Sequence, residues 1–213
     1  MLKHYLTVKN NGQAEIEIQK SRFIGHVKRC ETEEAAKTFI DEIKKNHRQA
    51  NHNCSAYVIG ERDHIQRAHD DGEPSGTAGV PILDVIKKQG LKDTCVVITR
   101  YFGGIKLGAG GLIRAYSEAT STAIRATGVV SRKWVEEMIV TVDYGLLGKI
   151  EHALIDSDYL LDTIDYLANV TLHIYVEADQ INRFKTWLTD LTHDQLTIEQ
   201  GSAVYLETPV SNG

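Results

Sequence analysis

Two glycine-dense stretches, set on either side of one short helix and one apolar strand, constrain this chain more than any other feature. The first reads Asp70-Asp71-Gly72-Glu73-Pro74-Ser75-Gly76-Thr77-Ala78-Gly79. The second runs Thr99-Arg100-Tyr101-Phe102-Gly103-Gly104-Ile105-Lys106-Leu107-Gly108-Ala109-Gly110-Gly111-Leu112, and continues through Arg114 to Tyr116. Glycine reaches this density where a backbone takes positive φ or must approach another segment closely. The first stretch carries carboxylates and the second carries cations, so a site is expected between them.

The segments around these loops read as alternating strands and helices. Ala14–Ile18 alternates apolar and charged, and Phe23, Ile24 and Val27 extend an apolar face after Ser21. Thr32 opens a helix whose first turn holds Glu33 and Glu34 and whose end holds Lys44 and Lys45, with Ala36, Phe39, Ile40 and Ile43 as its buried stripe. Cys54–Ile59 and Ile65–Ala68 read as a hairpin turning at Gly60–Asp63. Pro81 marks a helix start and Gly90 its end. Thr94–Thr99 reads as a central strand buried on both faces. A helix from about Ala109 to Gly128 carries Ala115, Ala119, Ala123 and Ala126, small residues that imply close approach to the sheet. After a polar link at Ser131–Lys133, the order strand, helix, strand, strand, helix, strand recurs up to Leu206, which is the ferredoxin-like plan.

Charge divides at the same place. Met1 to Lys133 holds 21 Lys and Arg against 15 Asp and Glu, whereas Trp134 to Gly213 holds 3 against 14. A step from +6 to −11 implies two domains, 1–132 and 133–213, with different partners. RNA, ribosome or nucleotide belongs to the basic half, and a protein partner to the acidic one. Tyr144, Tyr159, Tyr166, Tyr175 and Tyr205 in the acidic half read as core and edge packing, because fourteen acids disfavour RNA there. No run approaches the ~20 apolar residues of a membrane span, and no signal-peptide layout opens the chain. Cys30, Cys54 and Cys95 are an odd number without a Cys-x-x-Cys pair, which argues for a reducing cytoplasm over a disulfide framework.

Each candidate chemistry competes with a plainer account. Backbone N–H groups at a helix start beside Lys106 and Arg114 suit a phosphate. The residues proposed for it are Arg100, Gly104, Lys106, Gly108, Gly110, Gly111 and Arg114, and the alternative is purely structural glycine. Neither standard nucleotide motif is present. Gly104-x-x-x-Gly108 is followed by Ala109, where a P-loop needs Gly-Lys-Ser/Thr at its own spacing, and Gly108-x-Gly110 is followed by Ile113 where a third glycine belongs. His69, Asp70, Asp71 and Glu73 read as a turn, as metal or acid–base groups, or as partners of Arg100 that join the two loops. His47, His52, Cys54 and His69 match no zinc spacing, and nothing orients a Cys54–His nucleophile pair. No catalytic residue, metal site or cofactor is assigned from these residues.

The phrases DDGEPSGTAG and TRYFGGIKLGAGGL, with KSRF (Lys20–Phe23) and HNCSAY (His52–Tyr57) upstream, resemble those of the IMPACT/YigZ family. The resemblance implies an α+β protein of two domains. The N-terminal one is the ribosomal-protein-S5-domain-2-like α/β sandwich, shared with galactokinase-type kinases. The C-terminal one is a ferredoxin-like βαββαβ domain similar to a C-terminal domain of elongation factor G, as in bacterial YigZ-type members. The Leu107-to-Gly111 loop is similar to the phosphate loop of those kinases but lacks its serines. Eukaryotic members regulate translation initiation under amino-acid stress by competing for a kinase activator. The function expected from this class is therefore cytosolic regulation or binding linked to translation. A protein-interaction module is the first alternative, and a nucleotide- or metal-dependent enzyme the second.

Overall fold

The apolar run Thr94–Tyr101 forms strand β6, in which only Tyr101 escapes full burial. A strand buried on both sides needs cover above and below. Its place in the sheet supplies this, because β6 is the middle strand of five. The order is β2 (Gly12–Ile18), β3 (Ser21–Arg29), β6, β4 (His52–Ile59), β5 (Ile65–His69), antiparallel throughout. The edge strand β2 keeps Gln13, Glu15 and Glu17 in solvent and half-buries Ala14, Ile16 and Ile18, as its alternation requires.

Helix α1 (Glu33–Asn46) covers one face. Thr32 caps it, its Oγ1 accepting the Ala35 N–H at 3.1 Å. Ala36, Phe39 and Ile40 pack on Tyr57, Ile59, Cys95 and Val97. Helices α2 (Gly79–Lys88) and α3 (Gly108–Thr127) cover the other face over Phe23, Val27, Val96 and Ile98. Each fully buried aliphatic or aromatic side chain contributes about 1.5–3 kcal/mol here. The small side of α3 does what its alanines imply: a Cβ added to Gly25 in β3 would lie 2.6 Å from the Cβ of Ala123. Pro81 stands in the first turn of α2, where no intrahelical N–H bond is lost.

The structure is a computed structural model and describes residues 2–210. By contacts the chain divides into two units, Met1–Arg132 with Glu207–Gly213, and Lys133–Leu206. The second unit is built from the greater parts of β7 (Val129–Val142) and β10 (Thr197–Pro209) with α4 (Tyr144–Ile155), β8 (Leu160–Tyr166), β9 (Val170–Glu177) and α5 (Ile181–Thr192), and its strand order is β10-β7-β9-β8. That is the order of a ferredoxin-like sheet. Val170, Leu172, Ile174 and Val176 alternate inward from β9 onto Phe184 and Leu188 of α5. Tyr159 packs edge-on against Phe184 at 4.8 Å and Tyr205 against Trp134 at 4.7 Å, so these tyrosines serve packing.

One expectation needs correction, and one strand went unread. Ser131–Lys133 is not a link but part of β7. Its polar side chains have partners: Ser131 Oγ meets His4 Nε2 at 2.6 Å, Arg132 donates to the Tyr5 hydroxyl at 2.6 Å, and Lys133 Nζ pairs with Glu177 Oε1 at 2.6 Å. Polar composition signals a linker only where the side chains lack such partners. The strand β1 (His4–Val8), which pairs with β7, shows no apolar–charged alternation, because Tyr5, Leu6, Thr7 and Val8 follow one another without a charged residue.

Candidate functional site

Strand register brings the site together before any loop is considered. Arg100 near the end of β6 pairs with Phe23 of β3 on one side and His52 of β4 on the other. Directly opposed residues share a face, so all three side chains point to the side covered by α2 and α3. Tyr116 comes down from α3 onto this row, its ring edge-on to Phe23 at 5.4 Å.

The first glycine loop then folds over the row and inserts Glu73. Its Oε1 accepts from Arg100 Nη1 at 2.6 Å and from the Tyr116 hydroxyl at 2.8 Å. Both side chains of the ion pair are nearly sealed, Arg100 at 6% and Glu73 at 4% exposure. The Arg100 guanidinium also lies against the Phe23 ring (5.3 Å) and the Phe102 ring (5.5 Å). The reading in which Arg100 joins the two loops through an acid is thus realised through Glu73. The other acids are engaged separately. Asp70 accepts the N–H groups of Gly76, Ala78 and Gly79 at 2.8–3.1 Å. Burial pushes its carboxyl up, but these amides outweigh burial and hold it below the usual carboxylate value. Asp71 takes Lys44 Nζ at 2.6 Å and the Asn53 N–H at 2.7 Å. His69 ends β5 and is exposed. Among the described residues no three His, Cys, Asp or Glu groups are placed to hold a metal ion. The zinc grouping dissolves in the same way, with His47 on the Tyr101 hydroxyl (3.0 Å) and His52 on the Asp71 carbonyl (2.9 Å). Cys54 donates to the Asp70 carbonyl, and burial pushes its thiol up to about 12, so it holds no thiolate for attack at neutral pH.

The second loop is pinned to the β2–β3 turn. The N–H of Gly103 donates to Ser21 Oγ at 3.1 Å, and a Cβ on Gly103 would stand 2.0 Å from the carbonyl carbon and oxygen of Lys20. Asn51 Oδ1 accepts the Phe102 N–H at 2.8 Å. Gly104 (φ +87°) and Gly108 (φ +69°) take the left-handed region, with open space where a Cβ would be, so conformation rather than crowding calls for glycine there. Gly108 starts α3. No side chain caps this helix and its first turn holds no acid. Among the described residues its first amides thus have no side-chain cap, and they stand at the positive end of a twenty-residue helix.

A pocket of about 360 Å³ opens between the two loops. Its polar wall is Asn51, His52, Glu73, Arg100 and Lys106, its apolar wall Pro74, Phe102, Leu107 and Leu112, and its rim the α3 start at Gly108 and Ala109. Lys106 is exposed there. Of the proposed phosphate residues, Arg100, Lys106 and Gly108 line this pocket. Gly104, Gly110, Gly111 and Arg114 do not, and Arg114 is exposed on α3. Three further contributors, Asn51, Ser21 and Tyr116, were not among those residues. Ser21 lies inside the phrase Lys20–Phe23 and Tyr116 ends the second glycine-rich stretch, and that was the available signal.

The fold and pocket define a two-unit α+β protein whose N-terminal sandwich carries an anion-compatible pocket beside a buried Arg–Glu pair. The chain belongs to the IMPACT family. The Impact N-terminal domain matches residues 19–124, and DUF1949, a domain of unknown function, matches 140–195. IMPACT family member YvyE of Bacillus subtilis (strain 168) is 56% identical over 212 residues, covering 100% of this chain and 98% of that protein. IMPACT family member YigZ of Escherichia coli (strain K12) is 35% identical, covering 85% and 90%. A solved structure described as that of an hypothetical protein superposes with a TM-score of 0.61 at 32% identity, covering 93% of this chain and 97% of that one. Among the described residues no helix is long and apolar enough to cross a membrane.

Proposed function

We propose that this protein is a cytoplasmic regulator linked to translation, and that it acts by binding a phosphate-bearing ligand, RNA or nucleotide, in the pocket between the glycine loops. The observation that carries this reading is the uncapped start of α3 opening beside Lys106 on a walled pocket. A phosphate there would accept from the helix amides and pair with Lys106. Arg100 would contribute through its buried pair with Glu73, as a fixed wall rather than a direct phosphate contact. Arg114 would reach only the flanking phosphates of a longer strand.

The test is RNA-oligonucleotide anisotropy across a salt series. Lys106→Ala should lower affinity about tenfold at low salt, with the melting temperature unchanged and a shallower salt slope. Arg114→Ala should weaken an oligonucleotide but not a mononucleotide. Unchanged affinity in Lys106→Ala overturns the assignment. A second reading, a protein-docking surface, is favoured by the exposed apolar side chains Phe102, Ile105 and Ile113 at 41–45% exposure along the same loop and helix start. Loss of partner binding on Phe102→Ala, with little salt dependence, would support it.

A further inference from the structure

Opposite Lys106 and the start of α3, the pocket wall has a pole of the other sign. Glu73, 9% exposed when its backbone is included, lines the pocket. Its Oε1 is committed to Arg100 and Tyr116, whereas Oε2 accepts no hydrogen bond among the described residues and faces His52 Nε2 at 3.8 Å. The tautomer of His52 follows from its other nitrogen. Nδ1 lies 2.9 Å from the Asp71 carbonyl oxygen, which can only accept, so Nδ1 carries the ring's first proton and the one-proton ring presents a lone pair at Nε2. The wall therefore offers two acceptors side by side, one from β4 and one from the first glycine loop. The Arg100 Nη groups are turned to Glu73 and Ser21 instead.

We propose that Glu73 Oε2 and His52 Nε2 form an amino-reading pole, and that the pocket selects nucleotides whose base carries an exocyclic amino group over those carrying an oxo group there. This rests on the phosphate reading of the same pocket. Two adjacent acceptors complement a group with two hydrogens. A conjugated –NH₂ donates twice, whereas an oxo oxygen donates nothing and is repelled by both. Phe102, Leu107 and Leu112 give the flat base an apolar wall. The pocket of about 360 Å³ falls within the ~300–1,000 Å³ of small-ligand sites. Phosphate at α3 and amino group at Glu73 then orient the ligand from its two ends.

The test is calorimetric titration of the whole chain with four 5′-monophosphates of equal charge, adenosine against inosine and cytidine against uridine. The amino member of each pair should bind about tenfold tighter or more, since the oxo member leaves a charged acceptor unpaired. His52→Phe should shrink that ratio toward one, weakening the amino member of each pair and relieving the repulsion met by the oxo member. Equal affinity for all four, still lowered by Lys106→Ala, overturns the amino-reading pole and keeps the phosphate site. Absence of binding by any of the four overturns both. The wild-type ratio decides the matter even if the variant fails to fold.

Discussion

At the scale of single residues, the site is organised around a charge pair that water hardly reaches. A sealed ion pair is a poor source of net stability, because desolvation offsets most of its attraction, but removing one partner strands the other. Among the described residues, Glu73→Ala leaves the buried Arg100 side chain with Ser21 at 3.4 Å and two aromatic faces. The expected cost is about 3–5 kcal/mol in denaturant unfolding, and the double variant Glu73→Ala/Arg100→Met should recover a large part of it. A loss below ~1 kcal/mol in the single variant would mean that the pair is solvated. This pairing was legible as a type, since a cation at the end of a central strand and acids in the facing loop invite it. Which acid would be chosen was not legible. Asp70, Asp71 and Glu73 differ only in which way a turn with Asp71 at φ +46° and Gly72 at φ +90° directs them, and that geometry is set by the amides that Asp70 collects.

At the scale of elements, strands and helices were readable where one period ran long enough. β6, α1 and α3 fell where burial pattern, caps and glycine stops put them, and β7 did not, because partners from other segments neutralise its polar start. The second sheet shows a similar effect that no single strand reveals. His173 of β9 sits between Glu137 of β7 (2.7 Å) and Asp165 of β8 (3.2 Å), and Glu137 also takes the Ser202 N–H of β10. One histidine thus ties neighbouring strands on the sheet surface. The Glu137 hydrogen bond raises the His173 pKa above 6.5 against partial desolvation, and the His173 hydrogen bond in turn lowers the Glu137 pKa below 4.5. A raised histidine stabilises fully below its unfolded value and loses that contribution as pH rises through the folded one. A depressed carboxylate stabilises above its unfolded value and loses its contribution as pH falls through the folded one. Both act together between about pH 4.5 and 6.5. The melting-temperature difference between the natural chain and His173→Gln should peak in that window and shrink toward pH 9. A difference independent of pH would show that the histidine only packs.

At the scale of the whole molecule, charge and architecture divide together. The chain up to Lys133 is basic and the rest acidic, and the pocket between the glycine loops lies in the basic part. Family membership and the overall plan of the fold were readable from four phrases, and the structure brings those phrases together: Ser21, His52, Glu73 and Arg100 come one from each, and three of them line one pocket. The pocket's two-signed wall was beyond reach, since it depends on which oxygen of Glu73 is already occupied. The most direct measurement is a ¹⁵N-resolved NMR titration of the whole chain with cytidine 5′-monophosphate. The account predicts that the largest amide shifts fall at Lys106 and Gly108 to Gly111 and are lost in Lys106→Ala. Shifts centred elsewhere, or none at millimolar ligand, would contradict it.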